Sequence, residues 1–172
     1  MNPIKFNQSI NLGVTIDSRL KFSTHINGIA AKAHRRANLI IRCFMSRDLT
    51  SLIRAFTTYV RPVLEYCTVA WNPMLKKDIE TLEKVQRRFT KRIPGLKDLT
   101  YCQRLARLKL DSLELRRARL DLMFTYKLVF GLTDLKLSDF FLLRSDAKIT
   151  DYVKCIVLFT LEMYRLGQCW LA

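Results

Sequence analysis

The segment KVQRRFTKR, residues 84–92, places Lys84, Arg87, Arg88 and Lys91 within about 100° of arc on a helical projection, with Arg92 closing the segment. A row of guanidinium and ammonium groups on a rigid rod suits phosphate contacts, which fix register on a polyanion without reading its bases. Arg35 and Arg42 project in the same way from the outer face of an earlier helical run. Arg116, Arg117 and Arg119 cluster at the start of a later one. Three helices are therefore expected to offer basic surface.

A solvated helix would share part of this pattern. Asp78, Glu80 and Glu83 precede the basic residues, which complements a helix dipole, and Glu80/Lys84 and Glu83/Arg87 have i,i+4 spacing. Pairing accounts for balanced charge, however, and this chain is not balanced. Its 172 residues include 30 Lys+Arg against 15 Asp+Glu, a formal net charge of +15. An excess of that size repels itself in the compact state and points to a polyanionic partner. Arg116–Arg119 fit less well, because cations early in a helix oppose its dipole.

Other chemistry finds little support. The sequence has no Ser/His/Asp elbow, no glycine-rich phosphate loop and no adjacent pair of aspartates. Asp17 and Asp78 are isolated, so a two-metal site has no visible ligands. His25 and His34 are the only histidines and are expected at the surface. The five cysteines, Cys43, Cys67, Cys102, Cys155 and Cys169, are scattered and form no C-x-x-C pair. They read as reduced, mostly buried residues. No cofactor or metal is expected, and no enzymatic activity of this chain alone.

The start MNPIKFNQSI lacks the layout of a signal peptide, and apolar runs are short, as at Ile156–Phe159. An intracellular protein without membrane association is expected, nuclear or cytoplasmic and not secreted. The 49% hydrophobic content supplies a core, and 5 Gly with 4 Pro is too few for a linker-dominated chain.

The elements that would carry the basic residues follow from periodicity. NLGVTID, residues 11–17, reads as a short strand, followed by a turn at SRL. Ser23 is placed to cap a helix whose apolar stripe is Ile26, Ile29, Ala30, Ala33, Ala37, Ile40, Ile41 and Phe44, its alanines allowing close approach of another helix. Asp48 caps a second run containing Leu49, Leu52, Ile53, Phe56, Tyr59 and Val60. Pro62 suits the first turn of a third helix, and VLEYCTVAW, residues 63–71, is apolar nearly all round, as a buried central helix would be. Tyr59, Val63, Tyr66, Val69 and Trp71 are expected to pack helices together, with Asn72-Pro73 as a breaker.

A fourth helix, about residues 76–92, carries the stripe Ile79, Leu82, Val85 and Phe89 and stops before Pro94-Gly95. A fifth starts at Thr100 and runs through Leu108. A sixth starts at Ser112, runs to about Phe130 and is apolar on two faces. The fold class expected is mainly α, a helical bundle preceded by a short strand or hairpin. Beyond residue 135 the basic residues thin to Lys136, Arg144, Lys148, Lys154 and Arg165, and the tail reads as a different kind of sequence that could form a terminal helix.

NLGVTIDSRLKFSTHI, YVRPVLEYCTVAWNP, the run from LEKVQRRFTKRIPGLKDLTYCQRLARLKL through DSLELRRARLDLMFTYKLVFGL, and DLKLSDFF occur in this order. Together they resemble the C-terminal part of reverse transcriptases of non-LTR (LINE-type, jockey-like) retrotransposons, from about residue 11 to residue 143. The resemblance implies three parts: residues 1–22 as the end of a polymerase palm, residues 23–135 as a basic thumb-like helical domain and extension, and residues 136–172 as a divergent tail. It implies that the aspartates of RNA-directed DNA polymerase chemistry lie upstream, in a motif this chain lacks. It also implies RNA, DNA or an RNA/DNA hybrid as partner, together with the missing palm, held without base specificity. A transposon relic, a mispredicted reading frame and an adopted helical interaction domain stand as alternatives.

Overall fold

The computed structural model describes residues 8–44 and 48–139. The β-branched run VTID forms strand β2 (Val14–Asp17), which pairs antiparallel with β1 (Gln8–Asn11) in the register Asn11↔Val14 to Gln8↔Asp17. The two-residue turn between them takes positive φ at Leu12 (46°) and Gly13 (80°), the combination a tight hairpin twist demands. Glycine adopts it freely and leucine does not. The Leu12 carbonyl accepts a hydrogen bond from the Tyr66 hydroxyl at 3.2 Å, which latches the turn to the helices.

The structure is mainly helical after this hairpin. Helix α1 (Ser23–Cys43) buries Ile26, Ala30, Ala33, Ala37 and Ile40 along the expected stripe. Ser23 is not its cap. Phe22 holds the N-cap position without a side-chain hydrogen bond, and the Ser23 hydroxyl instead donates to Asp78 Oδ2 at 2.7 Å.

Asp48 does cap α2 (Leu49–Ala55), accepting from the Ser51 N–H at 2.8 Å, and this bond holds its carboxyl below the usual range. The chain after α2 departs from the expectation of a fresh helix at Pro62. Helix α2 runs on through a π turn (Phe56–Val60) into α3 (Arg61–Glu65) as one rod. Proline inside a helix lacks a donor and crowds the carbonyl four residues back. Widening the turn, so that the Arg61 N–H reaches Phe56 O, relieves that crowding without ending the rod.

The segment 63–71 is not a buried central helix. The rod stops at Tyr66, whose ψ of 123° is extended, and Cys67 turns left-handed at φ 56° before the single turn α4 (Thr68–Trp71). Only Leu64, Thr68 and Trp71 are buried there. Val63 is half-buried, while Tyr59, Tyr66 and Val69 face outward, because the π turn and the left-handed break rotate alternate side chains away from the core. Trp71 is satisfied by donating its indole N–H to Tyr66 O at 2.8 Å.

Helix α5 (Lys76–Lys91) buries Leu82, Val85 and Phe89, and the Phe89 ring stacks on Phe56 of the rod at 4.6 Å between centroids. The core therefore lies between α1, the rod and α5, closed by Ile93 and Leu96. Helix α6 (Tyr101–Leu108) starts with the expected cap at Thr100, reciprocated by Gln103 as a full capping box. These elements belong to one compact unit that ends at Leu113. A second unit begins at Glu114; its described part is the rest of helix α7 (Leu113–Val129), ended by Gly131 at φ 62°, and a short 3₁₀ turn (Leu137–Asp139).

Cys43, Cys67 and Cys102 are exposed, which corrects the expectation of mostly buried cysteines. Cys67 occupies the left-handed break, where its side chain leaves the core. Cys155, Cys169 and the expected terminal helix lie outside the described residues. No helix among the described residues is long and apolar enough to cross a membrane.

Candidate nucleic-acid interface

The basic residues of α5 acquire a setting from how α5 meets α1. Two hydrogen bonds join the two helices at matching steps: the Ser23 hydroxyl donates to Asp78, and Arg92 Nη1 donates to Asn38 Oδ1. From the first bond to the second each helix advances by about four turns, so α1 and α5 run parallel and in register. The small faces of Ala30, Ala33 and Ala37, all buried, permit this side-by-side packing.

The seam places charges from distant parts of the sequence beside each other. Lys84, Arg88, Lys91 and Arg92 are exposed on the outer side of α5, and Arg35 and Arg42 are exposed on α1. Arg88 and Arg92 lie one turn apart along the seam, about 6 Å of rise, and Arg42 lies one further turn beyond Asn38. Lys84, Arg88, Lys91, Arg35 and Arg42 make no ion pair with a carboxylate among the described residues. The result is an open cationic track over two adjoining helices.

Arg87 is set apart from that track. It is half-buried, reaches Glu80 Oε1 at 3.4 Å rather than forming the i,i+4 pair its spacing proposed, and lies over the Tyr101 ring at 5.1 Å. Glu83 turns inward. Its carboxylate accepts from the Leu113 N–H at 3.1 Å and from the Tyr101 hydroxyl, and Gln86 donates to that hydroxyl at 3.1 Å and to Asp111 O at 2.9 Å. Burial and the Glu83 charge push the Tyr101 hydroxyl well above its ordinary value, so it stays a donor. Buried Arg104, 5.6 Å from the same ring, bonds Thr90 Oγ1 at 3.2 Å and the Leu99 carbonyl. This network holds α5, α6 and the Asp111–Leu113 end of the first unit together.

Arg117, expected on a basic surface, is buried, and Arg116 and Arg119 are half-buried, so these three do not extend the open track. Arg61 meets Glu65, four residues on, at 3.9 Å on α3.

The histidines differ from the expectation of surface residues. His25 is buried. Its Nδ1 accepts from the Thr15 N–H at 3.2 Å, its ring meets Trp71 edge-on at 5.2 Å, and burial pushes its pKa down. His34 is half-buried in the α1/α5 seam, where burial and then Arg88 push its pKa down. Neither His34 nor Asn38 stood out by spacing. Their four-residue separation on the edge of α1 gains meaning only once α5 is laid beside it. Among the described residues no three of the His, Cys, Asp and Glu side chains gather as a metal site.

No family model matches the chain, and no solved structure matches it. It is similar to the uncharacterized protein B0403.1 of Caenorhabditis elegans, 26% identical over 124 residues, covering 70% of this chain and 62% of that protein. The chain thus spans less than two thirds of the length of this curated relative.

Proposed function

We propose that the α1/α5 track binds the phosphate backbone of nucleic acid without base specificity, as the duplex-holding part of a non-LTR retrotransposon-type reverse transcriptase. The observation that supports the reading is the parallel seam, which collects Arg35 and Arg42 with Lys84, Arg88, Lys91 and Arg92 and leaves most of them without a carboxylate partner among the described residues. The net charge of +15 supports the same partner class. The family is proposed from the sequence motifs alone, and in that reading the polymerase aspartates belong to another part of the parent protein. Template, primer or their hybrid would lie along the track, with a nuclear or cytoplasmic setting following from that substrate.

Fluorescence anisotropy of the full chain with labelled single-stranded RNA, an RNA/DNA hybrid and duplex DNA across a salt series tests the reading. On a B-form duplex, log affinity should fall against log salt with a slope of about 0.9 per phosphate contact. The triple variant Arg35→Gln, Arg88→Gln, Lys91→Gln should weaken binding to all three probes and shallow that slope. Equal affinity and slope in the variant would remove the track as the interface.

A further inference from the structure

His34 is half-buried one turn before Asn38, the residue that receives Arg92, and the register set by the Ser23–Asp78 and Asn38–Arg92 bonds brings it level with Arg88. It is thus a titratable group built into the track itself. We propose that His34 is a proton-dependent member of this interface, neutral in the free protein and protonated from solvent when a phosphate backbone occupies the track, so that nucleic-acid binding is coupled to proton uptake. The inference rests on the nucleic-acid reading of the same site.

The electrostatics follow from what faces the imidazole. From α5 the register brings Arg88 level with it, with Lys84 and Arg92 one turn to either side, and on its own helix Arg35 is the next residue. The acidic residues of the adjoining α5 turns are engaged elsewhere, Glu80 with Arg87 and Glu83 with Tyr101 and Leu113. The rod packs on the other edge of α1, where Arg36 Nη1 donates to Tyr59 O at 3.0 Å, and its one capping carboxylate, Asp48, is held by Ser51. The hairpin meets α1 near its start, through Thr15 and His25.

Burial and Arg88 together keep the free imidazole below its usual pKa, and a phosphate beside Arg88 reverses the sign of the local field. Protonation then adds a cation to the track and turns the second ring nitrogen from an acceptor into an N–H donor.

The linkage has a definite sign. With the pKa low in the free protein and higher in the complex, affinity rises as pH falls through the bound-state value. It stops rising below the free-state value, and each unit of difference amounts to tenfold.

Anisotropy of the full chain with a labelled RNA/DNA hybrid, read between about pH 8 and pH 5.5 at fixed salt, should show affinity rising on the order of tenfold. The salt slope should steepen by about one contact at the acid end. His34→Gln should flatten the pH dependence, with circular dichroism at each pH reporting the fold. NMR titration of the imidazole protons gives a second reading on the unaltered chain, which has only His25 and His34. The His34 pKa should rise when the hybrid is added. Tight binding that ignores pH, an unaltered pH dependence in His34→Gln, or a His34 pKa that does not rise each overturns the coupling and leaves the interface standing. Absence of binding at every pH overturns both.

Discussion

Glu83 and His25 spend their chemistry on holding the molecule together. The Glu83 carboxylate takes the Leu113 N–H and the Tyr101 hydroxyl, both on elements that follow α5, and it is itself buried. Removing an ionised acceptor strands its donors, and hydrogen bonds to charged groups are worth about 1.5–3 kcal/mol each. Glu83→Ala is therefore expected to lower unfolding free energy by about 3 kcal/mol in urea titrations, and Glu83→Gln, which keeps an acceptor oxygen, by less. His25 makes a pH prediction. Its folded pKa lies below the ordinary histidine value, so between the two values the unfolded chain binds more protons and stability rises with pH. Stability should be full above the unfolded pKa of about 6.5 and should fall as the pH drops from there towards the lowered folded value. His25→Phe should reduce that acid-side loss in thermal melts. At neutral pH it should cost about 1–2 kcal/mol, because the Thr15 N–H loses its acceptor.

At the scale of elements, local signals and long-range contacts separate cleanly. The Thr100–Gln103 capping box is written in four consecutive residues, and Thr100→Ala is expected to cost about 1 kcal/mol with the spectrum of a folded protein retained. The Asp48 cap, the Leu82–Val85–Phe89 stripe and the alanine face of α1 were legible for the same reason, since each depends on residues within a few turns. Ser23 shows the limit. A serine before an apolar stripe is a cap unless a remote acceptor outcompetes the helix N–H groups, and Asp78 is 55 positions away. The π turn before Pro62 and the left-handed Cys67 were hidden too. Proline can start a helix or be absorbed by a widened turn, and only the packing of the rod against α1 and α5 selects between them. Part of the candidate site was readable, namely that Arg35, Arg42, Lys84, Arg88, Lys91 and Arg92 are exposed, whereas the spacing did not show Arg87 drawn over Tyr101 or Arg117 buried. The assembly of the exposed cations was not readable, because the register of α1 on α5 depends on Ala30, Ala33 and Ala37 meeting a distant helix. Enlarging one of these, as in Ala33→Leu, should cost about 1–3 kcal/mol by overpacking. It should also weaken nucleic-acid binding without touching a charge, because it shifts α1 along or away from α5.

The whole molecule carries an unbalanced charge, and that makes its stability a test of the proposed polyanionic partner. With +15 on 172 residues, the folded state holds like charges closer together than the unfolded chain does. Screening should relieve this, so thermal midpoints in the absence of nucleic acid are expected to rise as sodium chloride increases from low to moderate concentration. A polyanion on the track relieves the same repulsion at its most crowded point and adds its own binding free energy. A ligand at a hundred times its dissociation constant stabilises by about 2.7 kcal/mol when it binds only the folded state. At low salt, duplex or hybrid should therefore raise the midpoint strongly, and at high salt the increment should vanish as the contacts are screened. The two salt trends have opposite sign, which separates general charge relief from occupancy of the track. In the Arg35→Gln, Arg88→Gln, Lys91→Gln variant the free protein should melt higher at low salt than the parent, and the increment from nucleic acid should shrink. A variant that melts higher yet keeps the full increment would place the bound nucleic acid elsewhere on the surface.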